Sequence, residues 1–140
     1  NHSGVKLHGF LSYLVKVAFA DETYNIIGYK GKQVRDNLHS YDVIRAVEEF
    51  ARNPQPGNVY NIGGGRENSL SVLEAIAAIQ EMTGRKICHS YCEEPRRGDH
   101  QCYISDLRKL KAHFPDWKVT RNLESILEEL IEAEYAQANN

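Results

Sequence analysis

At 140 residues the chain can bury one compact core, and its 41% hydrophobic and 26% charged residues are ordinary for a globular protein. A formal net charge of -2 argues against a dedicated nucleic-acid binder, no run is apolar enough to span a bilayer, and the first residues do not read as a signal peptide. Cys88, Cys92 and Cys102 are an odd number, which without an export signal favours free thiols in a reducing cytoplasm.

Residues 1–6 are polar and predict a loop, and the start at Asn1 rather than Met is what a segment from inside a longer gene would have. Phe10, Leu11, Leu14, Val15, Ala18 and Phe19 recur at helical spacing, so a helix is predicted from about Leu7 to Ala20. Thr23 to Ile27 is β-branched and aromatic and stops at Gly28, which predicts a strand; Gln33 to Asn37 is a second short extended piece. A helix from about Ser40 is expected to bury Val43, Ile44, Val47 and Phe50 and to stop at Asn53-Pro54-Gln55-Pro56-Gly57.

Val59-Tyr60-Asn61-Ile62 is predicted as the next strand, running into Gly63-Gly64-Gly65. A helix from about Ser69 or Ser71 to Thr83 follows, with a Ser71/Glu74 capping box and Gly84 at its end. Its buried side is expected to be Leu73, Ile76, Ala77 and Ile79-Gln80. Lys86 to Tyr91 is strand-like, Glu93 to His100 is loop, and Ser105 is expected to cap a short helix through His113. Phe114-Pro115-Asp116-Trp117 reads as a turn with a buried aromatic. The last helix, about Leu123 to Ala136, sets Leu123, Ile126, Leu127, Leu130 and Ile131 against an acidic, solvated face. The alternation predicts an α/β fold, a single domain over residues 1–140 with about four helices over short strands. The strands are too few for a free-standing doubly wound sheet, so an apolar surface is expected that a missing partner would cover.

Two stretches carry candidate chemistry. Arg35-Asp36 precedes a helix, and Glu94-Pro95-Arg96-Arg97-Gly98-Asp99 sits in a loop. Two arginine–aspartate corners suit a diphosphate-bearing small molecule, because a planar guanidinium fork matches a pair of phosphate oxygens. Either corner alone reads as a solvated ion pair. Strand, Gly63-Gly64-Gly65, helix invites a dinucleotide fingerprint, but the third glycine position is Asn68. Cys88, His89, Cys92, His100 and Cys102 invite a metal site; Cys88 and Cys92 would lie more than about ten ångströms apart on a regular strand, so small buried hydrophobes are the expected role and no metal is assigned. His39 beside Asp42 could exchange protons, although a histidine at a helix start more simply makes a structural hydrogen bond. No Gly-x-Ser-x-Gly elbow is present and no tyrosine is followed by lysine four residues on, so no catalytic residue is assigned.

Gly31 to Asp42, Val59 to Gly65, and Arg96-Arg97-Gly98-Asp99 followed by Ser105-Asp106-Leu107-Arg108-Lys109, taken in order, resemble the C-terminal substrate-binding part of extended short-chain dehydrogenases/reductases. These are the NAD-dependent nucleotide-sugar epimerases and dehydratases. Asn1 to Val15, Gly28 to Asp36 and Phe114 to Trp117 look like the subgroup of 2-epimerases that act on CDP-dideoxyhexoses. The resemblance implies that Arg35 and Arg96 contact one diphosphate from two sides and that Asp99 accepts from ribose hydroxyls. It implies contacts from the His8-Gly9-Phe10 segment, and a base lined by Tyr24 to Ile27, with Tyr24 and Ile26 among the candidates. It also implies NAD as the cofactor of the full-length enzyme, held mainly by a Rossmann half that this chain lacks. The partners expected are a CDP-sugar or other nucleotide-sugar and the missing half or a second copy.

Overall fold

The computed structural model describes residues 9–94 and 97–138. In chain order the elements are α1 (Phe10–Ala20), β1 (Tyr24–Ile27), β2 (Val34–Asp36), α2 (Ser40–Arg52), β3 (Ser69–Ser71), α3 (Val72–Thr83), β4 (His89–Cys92), β5 (Cys102–Tyr103), α4 (Arg108–His113) and α5 (Leu123–Ala138). They divide between two compact units interleaved in sequence. The first comprises residues 1–33, 70–101 and 124–140, and the second 34–69 and 102–123.

The first unit is built on helices whose apolar stripes are covered. α1 packs against α3. Leu14, Val15 and Val17 of α1, Ile76 and Ile79 of α3, and Ile126, Leu127 and Ile131 of α5 are buried. Each such side chain contributes roughly 1.5–3 kcal/mol by leaving water. α3 starts where the sequence says: Ser71 Oγ accepts from the Glu74 amide at 3.2 Å, and Glu74 accepts from the Ser71 amide at 2.7 Å. Those bonds from Ser71 hold the Glu74 carboxyl below its ordinary value. Gly84 ends the helix in the left-handed region at φ 67, which a residue with a Cβ adopts only at a cost. β1 and β4 pair in parallel, with Tyr24 opposite His89 and Ile27 opposite Cys92.

The second unit has a smaller core. Leu107, Leu110, Phe114 and Trp117 pack with Ala46, with Leu38, Tyr60 and Val119 around them. Trp117, in the expected turn, is 1% exposed and donates from Nε1 to the Asp42 carbonyl at 3.0 Å. β2 and β5 pair in parallel, Arg35 opposite Tyr103.

Several expectations are corrected. The apolar face of α2 is not buried: Ile44 and Val47 are each 58% exposed, and Val43 and Phe50 also face solvent. The inward positions are Asp42 and Ala46. Helical periodicity shows which residues share a face, not whether anything covers it. Val59 to Ile62 forms no strand, since no strand among the described residues pairs with it. A strand needs a neighbour for its amides and carbonyls, whatever its propensity. The three cysteines are exposed rather than buried. In α3 the inward side is Val72, Ala75, Ile76 and Ile79, while Ala77 faces solvent. Ser105 does not cap α4; the Asp106 carboxylate accepts from the Arg108 amide there instead.

Candidate functional site

Arg35 lies in the middle of β2, half-buried, and its Nη1 donates to the Val34 carbonyl at 2.7 Å. Pairing with β5 fixes the backbone on which the guanidinium stands. Its neighbour Asp36 turns inward: one carboxylate oxygen accepts from the Gly65 amide at 2.9 Å and from the Ser105 amide at 3.1 Å. Asp36 is therefore a clamp that sets the glycine loop against the chain leaving β5.

The glycine loop is required by that closeness. A Cβ on Gly63 would run into Ser105 and Asp36, and one on Gly64 into the Asn37 carbonyl. With the Gly65 amide committed to Asp36, the loop does not fit the pyrophosphate of a dinucleotide, whose recognition needs those amides.

In the first unit, Gly9 precedes α1 at φ 79 and Phe10 opens the helix, half-buried. The Tyr24 ring stands 5.9 Å from the Tyr13 ring, which ties the start of β1 to α1. Ile26 is 1% exposed and lies in the core of the first unit. Asp99 is half-buried, and its carbonyl accepts from the Tyr29 hydroxyl at 3.2 Å. Arg97 is exposed. Arg96, like His8, lies outside the described residues.

Sequence reasoning passed over Tyr29 and Gln33. Tyr29 and Lys30 both hold positive φ, 50° and 52°, between Gly28 and Gly31. A Cβ on Gly31 would come within 2.9 Å of Leu73, so the turn lies tight against α3. The turn aims the tyrosine hydroxyl at the Asp99 segment. Only the glycines flanking it hinted at this conformation. Gln33 donates to the Ile27 carbonyl at 3.1 Å, while its buried Oε1 meets no donor among the described residues.

His39 caps α2, its Nδ1 accepting from the Tyr41 amide at 3.1 Å. Asp42, fully buried, accepts from Thr120 Oγ1 at 2.7 Å, the Thr120 amide at 2.9 Å and the Arg121 amide at 3.0 Å. Burial pushes its carboxyl up, but those bonds and the Arg45 charge outweigh it and hold the group below its ordinary value. Both residues are structural. Among the described residues no cluster of histidine, cysteine or carboxylate could hold a metal ion, and no helix is long and apolar enough to cross a membrane.

No family model matches the chain. It is 34% identical over 94 residues to CDP-paratose 2-epimerase of Salmonella typhi, covering 65% of this chain and 27% of that protein. It is 31% identical over 132 residues to the low-salt glycan biosynthesis protein Agl12 of Haloferax volcanii, covering 91% of this chain and 42% of that one. Among solved structures it superposes on MoeE5 in complex with UDP-glucuronic acid and NAD with a TM-score of 0.82 and 29% identity, over 96% of this chain and 44% of MoeE5. UDP-glucose 4-epimerase of Thermotoga maritima with UDP-glucose gives a TM-score of 0.79 at 28% identity, over 93% and 40%. The chain spans less than half the length of these relatives. The fold is shared over nearly all of the chain, and these relatives and structural neighbours are members of the NAD-dependent epimerase/dehydratase family of short-chain dehydrogenases/reductases, to whose C-terminal portion the chain corresponds.

Proposed function

We propose that this chain is the nucleotide-sugar-binding domain of an NAD-dependent epimerase, with CDP-paratose/CDP-tyvelose 2-epimerase as the specific activity: oxidation and re-reduction at C2 of a CDP-dideoxyhexose. One observation carries the reading. Nearly the whole chain shares its fold with proteins captured holding a nucleotide-sugar and NAD. On this reading Arg35 and Arg96 meet the diphosphate, Asp99 takes the ribose, Gly9 and Phe10 offer contacts where α1 begins, and the strand carrying Tyr24 and Ile26 lines the base. NAD belongs to the portion of the enzyme outside these residues, so the chain alone binds part of a nucleotide-sugar and does not turn it over. The setting is cytoplasmic sugar-nucleotide metabolism feeding surface carbohydrate such as lipopolysaccharide.

The test is titration calorimetry with CDP-, UDP- and dTDP-sugars on the intact enzyme. Arg35→Ala and Arg96→Ala are each expected to cost about 2–5 kcal/mol of affinity, the scale for truncating one partner of a buried charge pair. Unchanged affinity in both would remove the proposal. NAD-coupled turnover by the 140 residues alone would overturn the assignment of the chemistry elsewhere.

Two other readings each have an observation behind them. The open apolar face of α2 favours a non-catalytic module that pairs with another chain or a second copy. A partner-dependent shift in gel filtration, without affinity for any nucleotide-sugar, would select it. Similarity to dTDP-glucose 4,6-dehydratase of Streptomyces griseus, 31% over 84 residues, favours a sibling dehydration or reduction, which product analysis on the intact enzyme separates.

A further inference from the structure

The second unit contains a concavity that does not include Arg35. It is lined by residues 64–68, 105–108 and 118–120 with Lys111 and Asn122, is half open to solvent, and has a volume of about 630 Å³. Sites for small organic molecules run to roughly 300–1,000 Å³, so this one is sized for a small molecule rather than a lone ion.

Its three walls are tied together from behind. Asp36 joins the Gly65 amide to the Ser105 amide. Asn68, buried, donates from Nδ2 to the Arg121 carbonyl at 2.8 Å, linking the glycine loop to the third wall. Asp42 anchors that wall to α2 through Thr120 and Arg121, and Arg45 adds a bond to the Lys118 carbonyl at 3.2 Å. A pocket held this way loses little freedom when a ligand enters, which favours binding.

The lining has a definite chemistry. Leu107, of the core cluster, and Val119, packed against it, supply an apolar surface. Arg66, Lys111 and Lys118 bring three cations from the three walls. Of the two carboxylates, Asp106 is taken by Arg108 through paired bonds of 2.6 and 2.9 Å, which pull its carboxyl down to about 2. Glu67 then faces a surplus of positive charge. A dianionic head on a compact body with hydroxyl groups matches this combination, the hydroxyls meeting Ser105 and Asn122.

We propose that this pocket binds a small phosphate ester, at a site separate from the one assigned to the nucleotide-sugar and independent of that assignment. The experiment titrates ¹⁵N-labelled chain with ribose 5-phosphate, and with ribose as the uncharged control. Saturable shifts are expected at the Gly64, Gly65, Thr120 and Asn122 amides with the ester and not with ribose, and they should persist in Arg35→Ala. The double variant Lys111→Glu, Lys118→Glu should weaken binding at least tenfold. Lys118→Ala alone, a surface change that leaves the fold intact, should weaken it about two- to fivefold, the range for one exposed charge. The proposal is overturned if the ester moves none of these amides, or if the lysine variants titrate with the wild-type midpoint. Loss of the shifts in Arg35→Ala would overturn it too, and would transfer the phosphate affinity to the nucleotide-sugar site.

Discussion

The two units hold themselves together by different means. The first turns apolar stripes inward from α1, α3 and α5, with Leu14, Val15 and Ile79 sealed off. The second leaves the apolar stripe of α2 in solvent, has the smaller core around Trp117, and is fastened as well by polar bonds, with Asp36, Asp42 and Asn68 each joining chain segments far apart in sequence. Hydrophobic burial is non-directional and tolerates repacking, whereas a buried carboxylate holds only while all its donors are in place. The first unit should therefore yield gradually to truncation, and the second abruptly to loss of one acceptor.

The largest effect should come from the first unit's centre. Ile79→Ala is expected to cost about 4 kcal/mol, within the range for fully buried aliphatics, read by urea denaturation. The comparison turns on Asp42→Ala, which leaves the Thr120 and Arg121 amides without their acceptor. It should cost about 3 kcal/mol and be read by Trp117 fluorescence, while α1 and α3 amides keep their exchange protection. Equal loss of protection in both units would collapse the distinction.

Asp42 also gives the second unit a pH signature. Its folded-state pKa is lowered, so its contribution is complete above the ordinary value of 3.8 and disappears as pH falls through the lowered one. The Trp117-reported midpoint should drop across that acid range, and Asp42→Asn should flatten the dependence. Ser71→Ala, which removes half of a capping box, should cost about 1 kcal/mol in thermal denaturation. The smallest effect is the sharpest contrast with Ile79. Ile44→Ser, on the open face, should stay within about 0.5 kcal/mol in the isolated chain.

Features governed by local chemistry were legible in the sequence. The Ser71/Glu74 cap, the Gly84 stop, the break after Arg52 and the buried Trp117 all follow from residues within a few positions of one another. What was not legible depended on distant partners. Nothing near Asp42 announces Thr120 or Arg121, and nothing near Asp36 announces Ser105. The exposure of Ile44 and the failure of residues 59–62 to form a strand have the same origin, because both require a neighbour that local pattern cannot supply. Arg35 was legible as a candidate from its motif, whereas the Tyr29 turn, with two residues at positive φ, left only its flanking glycines as a trace.

Val59, 82% exposed, begins a tetrapeptide that favours the pleated state and has no pleated neighbour among the described residues. Such a run is a latent seed: in concentrated solution it can recruit the same four residues from other molecules, laying backbone against backbone. Storage of the isolated chain should therefore bring a slow rise in thioflavin fluorescence, and a proline in place of the exposed Val59 should abolish it.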